Sequence, residues 1–382
     1  MLKPLKVGLG STVWSSGVAK GHLDGIGIYT QSLSQALARR PDVQIRPYTF
    51  GVNTPRLDCG VPLSLAPHFP KFVLKNALLG ADRQVDQRLA NEVDIFHAPD
   101  HHIPRLKNVA MVASVMDLIP QIHPEWVTLK LRRLKNWLFN QSVGWADQVI
   151  TISEYSKRDI VRLLGIAEER VHVTPLGVDA HYFSRQSDVA RHEVLRKHGL
   201  EPGFCLFVGT LQPRKNLAAV LAAHAQLPEA LRKRHPLVVV GRNGWRAATL
   251  VEELQALETR GEGKWLEYLP QDEVIALLQS AAALVFMSLF EGFGLPAIEA
   301  FAARCPVICS NTTSLPEVVG EAALQADPRD SKAITLAMLN VLDDPLAVSQ
   351  RVEVGERRAR DYTWDACAAQ TLEVYRLALQ GR

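Results

Sequence analysis

The stretch Ala283-Leu-Val-Phe-Met-Ser-Leu-Phe-Glu-Gly-Phe-Gly-Leu-Pro-Ala-Ile-Glu-Ala-Phe301 decides how the rest of the chain is read. Ala283 to Met287 is a short apolar run, the pattern of a strand buried on both faces. Glu291, Gly292, Phe293 and Gly294 then make a loop. Pro296 suits the first turn of a helix, where its missing N–H costs nothing, and that helix continues to Ala303 with Glu299 near its start. A helix end offers backbone N–H groups and a positive dipole end, which suits a phosphate. An ionised carboxylate accepts two good hydrogen bonds from a sugar diol. Loop and helix together point to a nucleotide-sugar as ligand. The plainer reading is a strand-loop-helix of any doubly wound domain, with two solvated glutamates.

The totals bound the class. At 382 residues the chain is too long for one ordinary core and fits two domains. Hydrophobic residues at 47% and charged residues at 22% describe a globular protein, not a disordered one. A net charge of +3 does not imply nucleic acid as a partner. No apolar run is long enough to span a bilayer, and Met1-Leu-Lys-Pro-Leu-Lys-Val-Gly-Leu9 lacks an apolar signal segment. Cys59, Cys205, Cys305, Cys309 and Cys367 are odd in number, and three lie in apolar runs, so they read as buried thiols in a reducing compartment. Cys305 and Cys309 lack metal-ligand spacing and a second pair. The expected location is the cytoplasm.

Glu291 and Glu299 are eight residues apart, and Glu291-Gly-Phe-Gly-Leu-Pro-Ala-Ile-Glu299 resembles the E-x7-E signature of retaining glycosyltransferases of family 4. The resemblance covers nearly the whole chain and is strongest from Gly209 to Glu317. It implies α/β architecture of the GT-B type, two Rossmann-like domains facing each other across a cleft. The implied division is an acceptor-binding domain over 1–185, a linker near 181–201, a nucleotide-sugar domain over 200–360, and a last helix over 361–382 crossing back to the first domain. In that helix Ala368, Leu372, Tyr375 and Leu379 are spaced to pack on one face.

Taken in order, Leu5 to Leu9 reads as the first strand. A glycine-rich region follows, then a helix from about Ile28 to Arg39 with Tyr29, Leu33, Ala36 and Leu37 on one face. Asp24-Gly-Ile-Gly27 resembles the family's loop near the donor diphosphate, against the alternative of a tight turn with glycines at positive φ. Val43 to Tyr48 is a strand, and 51–72, rich in Pro and Gly, reads as an irregular loop. Val93 to His97 is a strand ending in Asp100, His101 and His102, where open α/β sheets bind ligands. His97 and Asp100, with Asp117 after the strand Val109 to Val115, are therefore the candidate acceptor contacts. No metal pattern is present there. Where the family often carries His beside the donor sugar, this chain has Met116. Met cannot hydrogen-bond strongly to a sugar hydroxyl, and a methyl group of a 6-deoxy sugar would suit it. Residues 126–146 hold basic and aromatic side chains without an acid, which suits either an anionic membrane surface or an ordinary exposed helix.

In the second half, Phe204 to Val208 is a strand delivering Gly209, then Arg214, Lys215 and Asn216. By the resemblance Arg214 and Lys215 bind the donor diphosphate; two fixed cations can neutralise a leaving phosphate without a metal or other cofactor. The alternative is a solvated basic turn capped by Asn216. Leu237 to Val240 leads to Asn243, and Trp265 to Tyr268 leads to Leu269, where the base is expected. The resemblance gives Glu299 to the ribose and Glu291 to the donor sugar, with backbone at Phe293, Gly294 and Leu295 steadying phosphate. Asp117-Leu-Ile-Pro120 with His123-Pro-Glu125 resembles bacterial O-antigen mannosyl- and rhamnosyltransferases. That implies GDP-mannose or a GDP-deoxysugar as donor and a glycan or lipid-linked glycan as acceptor, with peripheral attachment at the inner face of the plasma membrane. The rivals are a nucleotide-sugar epimerase of the same fold, and a sugar-binding scaffold that has lost its chemistry.

Overall fold

The computed structural model describes residues 3–51, 54–126, 131–244 and 248–382. The chain divides into two compact units, Met1–Gly177 with Trp364–Arg382, and Val178–Thr363. The first holds seven strands: β1 (Leu5–Gly10), β2 (Val43–Phe50), β3 (Leu63–Ala66), β4 (Ile95–Ala98), β5 (Ala110–Ser114), β6 (Gln148–Thr151) and β7 (Val171–Val173). They form one sheet in the order β3-β2-β1-β4-β5-β6-β7, and every pair is parallel. The second unit holds β8 (Cys205–Val208), β9 (Leu237–Val240), β10 (Gly263–Leu266), β11 (Ala283–Phe286), β12 (Val307–Ser310) and β13 (Leu324–Ala326). Its order is β10-β9-β8-β11-β12-β13, again all parallel. β4, β5, β9, β11 and β12 are buried at every residue, as strands covered by helices on both faces must be. In each unit the strand order reverses once, between β1 and β4 and between β8 and β11, and loops leaving such neighbours diverge to leave a crevice.

Several expectations are corrected. The glycine-rich region after β1 contains a helix, Thr12–Ala19. Residues 51–72 are not one irregular loop, because they include β3 and the start of the helix Phe69–Leu79. β3 is a four-residue edge strand with only Leu65 buried, too short to show a period among its prolines. β10 starts at Gly263 rather than Trp265; a Cβ there would lie 2.6 Å from the Leu237 carbonyl oxygen, so the edge strand can pair only through a glycine. The stretch expected as a linker folds into the helix Asp188–Lys197, whose Ser187 cap accepts the Ala190 N–H at 3.2 Å. That helix packs on the helix Gln271–Leu278, and the break between units falls at Gly177 rather than 185. The helix Glu154–Leu164 begins and ends as its caps require: Ser153 accepts from Ser156 N, and Gly165 follows with φ 66.

The last helix, Trp364–Gln380, packs on the helix Gly25–Ala38 and on β5 and β6 of the first unit. Ala368, Leu372 and Tyr375 are buried, but Leu379 is 36% exposed and leaves the expected stripe. Among the described residues no helix is long and apolar enough to cross a membrane. Beneath the last helix runs a buried polar chain. Tyr375 Oη lies 2.7 Å from His97 Nδ1, His97 Nε2 lies 2.8 Å from Ser114 Oγ, and Ser114 Oγ lies 2.9 Å from Tyr29 Oη. Burial pushes His97 down to about 3, so the imidazole stays neutral. Removing one member strands its neighbour without water. Tyr375→Phe should therefore lose about 1–3 kcal/mol of stability in chemical denaturation; an unchanged midpoint would show that the phenol contributes nothing to the network.

Candidate functional site

In the second unit the loops leaving β8 and β11 meet. The Leu289 N–H donates to the Arg214 carbonyl at 2.8 Å. Asn216, at φ 58, donates its amide to the Met287 and Pro328 carbonyls at 3.0 and 2.7 Å, so it ties the turn to two other segments instead of capping the next helix. These ties hold Arg214 and Lys215 against Glu291. Lys215 Nζ is 2.7 Å from Glu291 Oε1 and Arg214 Nη1 is 2.8 Å from Oε2. Arg214 also donates to the Phe290 carbonyl at 2.8 Å, and Lys215 Nζ stands 5.0 Å from the centre of the Phe286 ring. The Glu291 backbone is fixed in turn. Its N–H donates to Thr313 Oγ1 at 3.2 Å, and Ser314 Oγ donates to the Glu291 and Phe293 carbonyls at 2.8 and 2.9 Å.

Gly294 has φ 118 and opens the helix Leu295–Ala302. Only glycine fits, since a Cβ would meet Leu315 Cδ2 at 2.4 Å as well as the positive φ. Pro296 occupies the first turn, where N–H groups have no partner within the helix. Phe293 is buried and packs edge-on to Tyr362. Glu299 lies one turn further along, partly buried. Burial pushes the Glu291 carboxyl up, yet the Lys215 and Arg214 charges overcome this and hold it near 2. Burial likewise pulls Lys215 below its ordinary value against the pull of Glu291. Glu299 goes the other way. Burial raises it to about 7, with Asp179 adding to the rise, while the Tyr182 hydroxyl hydrogen bond and the Lys215 charge oppose it. Two carboxylates eight residues apart therefore differ in charge near neutral pH.

The remaining donor-side candidates sit at strand ends. Gly209 (φ 154) follows β8 and lies against the Lys215 side chain. Its carbonyl oxygen comes within 1.9 Å of where a Cβ on Gly241 would stand, so the loops can touch only with a glycine at 241, while at 209 it is the backbone angle that favours glycine. Asn243 is exposed and bridges Leu211, and Leu269 is half-buried after β10. Beside them Arg242 stacks over the Tyr268 ring at 4.6 Å. Gly27 lies in the first unit, inside the helix Gly25–Ala38, and its N–H donates to the Asp24 cap at 2.8 Å. That bond commits the one backbone donor Gly27 has.

The first unit contains a cavity of about 560 Å³ at the carboxyl ends of β4 and β5. Asp100, Met116 and Asp117 line it. His97 does not: it is fully buried with both ring nitrogens engaged, which corrects its reading as an acceptor contact. Asp100 is buried, accepting from Val13 N at 3.1 Å, His102 N at 2.8 Å and His102 Nδ1 at 3.0 Å. Burial raises this carboxyl, but the two histidines and these bonds bring it well below the usual carboxylate range. Asp117 Oδ1 accepts from Ile119 N at 3.1 Å. Tyr182 and Asp179 beside Glu299, and Thr313 and Ser314 under Glu291, are not among the residues the sequence singles out, whereas His102 on the cavity wall belongs to the Asp100-His101-His102 cluster that it does. Asp179, in Pro175-Leu-Gly-Val-Asp179, and Thr313 and Ser314, in Asn311-Thr-Thr-Ser-Leu-Pro-Glu317, lie in stretches that resemble the family.

The family model described as "Glycosyltransferase Family 4" matches residues 23–182, and "Glycosyl transferases group 1" matches 191–360. The O-antigen chain mannosyltransferase B of Escherichia coli is 34% identical over 287 residues, 74% of each chain. A glycogen synthase of Mycobacterium tuberculosis is 30% identical over 314 residues, 79% of this chain and 72% of that one. Among solved structures, a sucrose-phosphate synthase from Thermosynechococcus elongatus superposes with a TM-score of 0.75 at 20% identity, covering 99% of this chain and 100% of the other.

The Glu291 cluster sets a pH dependence. Its folded pKa is depressed from 4.5 to about 2, so the stability it contributes is complete above 4.5 and is lost as pH falls towards 2. Glu291→Gln should cost roughly 3–5 kcal/mol at neutral pH by leaving two cations unpaired. The gap between wild type and variant, followed by denaturation at a series of pH values, should close as pH drops from 4.5 to about 2; a gap of constant size would exclude the ion pair as its source.

Proposed function

Since the chain belongs to the family 4 glycosyltransferases, built on the GT-B fold, we propose that it moves a hexose or deoxyhexose from a GDP-linked donor to a growing surface polysaccharide of the O-antigen type, with retention at the transferred carbon and without a metal. Mannose is the favoured sugar, on the strength of the mannosyltransferases among its relatives. The observation that carries the reading is the pairing of Arg214 and Lys215 with the buried Glu291 carboxylate at the mouth of the helix Leu295–Ala302.

As the glycosidic bond breaks, negative charge moves onto the leaving diphosphate, and Arg214 and Lys215 neutralise it from fixed positions. Glu291, which holds both cations in the free protein, contacts the donor sugar hydroxyls. The first-turn N–H groups of the helix steady the phosphates. Glu299 accepts the ribose hydroxyls. In front-face retention the leaving phosphate takes the acceptor proton, so no separate base is required. Met116 suits the methyl group of a 6-deoxy sugar, which keeps rhamnose as the second donor. The exposed Leu134, Trp137, Arg133 and Lys135 support a peripheral contact with an anionic membrane from the cytoplasmic side; residues 127–130 of that stretch lie outside the described ones.

Replacing Arg214 and Lys215 together by Ala should cut kcat by about 10²–10³ or more, measured well below the variant's own unfolding midpoint because Glu291 loses both partners; near-normal turnover would sink the assignment. In the free protein Glu299 becomes half-protonated near pH 7, and only the ionised form accepts from both ribose hydroxyls. GDP affinity, measured by thermal shift, should rise across about pH 7, and Glu299→Gln should flatten that profile at a weaker affinity.

A further inference from the structure

The loop between β12 and the helix Leu315–Val319 clasps the segment that carries Glu291. Ser310 Oγ donates to the Ser288 carbonyl at 2.7 Å, Thr313 Oγ1 accepts the Glu291 N–H at 3.2 Å, and Ser314 Oγ donates to the Glu291 and Phe293 carbonyls. Two of these three residues hold ordinary backbone: Ser310 ends a strand, and Ser314 has φ −80 and ψ −15. Thr313 does not. Its φ is 59, in the left-handed region. Leu131, Asn216 and Arg304 are the other non-glycine residues at positive φ among the described residues, and of the four Thr313 alone is branched at Cβ, the shape that tolerates this angle least. Glycine would adopt the angle freely. What threonine adds over glycine is the hydroxyl on the Glu291 N–H.

In the free protein that bond is not what holds the carboxylate, because Lys215 and Arg214 grip one oxygen each at 2.7 and 2.8 Å. A diphosphate competes for both cations, and as they turn to it the carboxylate is released. The backbone ties persist, the N–H to Thr313 and the carbonyl to Ser314. We propose that Thr313 is a positioning residue for the transfer step: its left-handed turn fixes the Glu291 backbone, so that the carboxylate stays aimed at the donor sugar after its two cations have turned to the diphosphate. The inference rests on the donor reading given above and adds the residue that keeps Glu291 in place once its ion pairs are given up. Backbone strain of this kind persists where the surroundings enforce it, and it collects at working sites. Since the ion pairs already hold Glu291 in the free protein, loss of the tie changes stability little. Since those pairs are surrendered to the donor, its loss is felt in turnover.

The test takes the full chain with Thr313 replaced by Gly, Val or Ser. It reads the melting temperature, the release of GDP from GDP-mannose with water as acceptor, and hydrogen exchange at the Glu291 amide by heteronuclear NMR, with and without GDP. Thr313→Gly relieves the backbone as it loses the bond, so it should melt close to the wild type. It should nevertheless release GDP about tenfold more slowly, or worse, because the reacting groups are less well aimed. Thr313→Val keeps the strain without the acceptor and should lose in both respects. Thr313→Ser keeps the hydroxyl and should recover most of the turnover. The Glu291 amide should exchange faster in the Gly and Val variants than in the wild type or the Ser variant, while GDP affinity stays at the wild-type value in all of them. A wild-type chain that leaves GDP-mannose intact would count against the donor reading, and the exchange series would then decide by itself whether the turn holds Glu291. The proposal is overturned if turnover falls only in step with melting temperature, if Thr313→Gly turns over like the wild type, or if the Glu291 amide exchanges no faster in Thr313→Val.

Discussion

One buried carboxylate held between two partly buried cations governs the second unit. A buried carboxylate is costly unless both its oxygens are matched, and two neighbouring cations repel unless something negative lies between them. Glu291 meets both conditions, one oxygen to each cation. The cluster therefore demands that the ends of β8 and β11 arrive in register, and those strands are neighbours in the sheet. The surrounding bonds serve this demand: Leu289 to the Arg214 backbone, Asn216 to Met287 and Pro328, Ser314 beneath Glu291 and Phe293. In the function proposed above, a diphosphate entering such a place finds its counter-charges already oriented, so little reorganisation remains to oppose binding.

Environment rather than residue type separates the two glutamates. Glu291 faces two cations and stays ionised to low pH, whereas Glu299 faces a carboxylate and a phenol and titrates near neutrality. The short helix between them supplies the geometry. Its start cannot drift, because Gly294 alone tolerates both its backbone angle and the side chain of Leu315. Spacing in sequence thus becomes spacing in space, which is why a signature of two residues can be informative at all.

Strands of the parallel sheets were legible because each is a continuous apolar run ending at glycine or polar residues, and Arg214, Lys215 and Glu291 were legible as residues at those ends. The misses share a cause. His97 looked like a ligand contact because it closes a buried strand; its partner Tyr375 lies 278 residues later, and nothing local announces the pairing. Asp100 does line the cavity, but its oxygens are occupied by Val13 and His102, one of them also far away in sequence. β10 was displaced by two residues because Gly263 reads as a turn, although its role is to let Leu237 and Leu257 come close. The helix Asp188–Lys197 reads as a linker in sequence because its polarity hides the contact with Gln271–Leu278, which includes Lys197 and His198 against Glu273. In each case the deciding atom belongs to a segment distant along the chain.

The first unit is discontinuous, and its closing segment, Trp364–Arg382, follows the whole of the second unit in sequence. Synthesis runs from the other end, and domains usually fold as they emerge. The seven-stranded sheet is thus made first and completed last. Until Trp364–Gln380 leaves the ribosome, the surface of β5, β6 and the helix Gly25–Ala38 that this helix covers stays bare, and His97 lacks the phenol that satisfies it. Meanwhile every residue of the second unit has already been made. A nascent chain would carry an open apolar flank for the time taken to translate that entire unit, and a ribosome stalled before Trp364 would hold a complete second unit beside a first unit still lacking its covering helix.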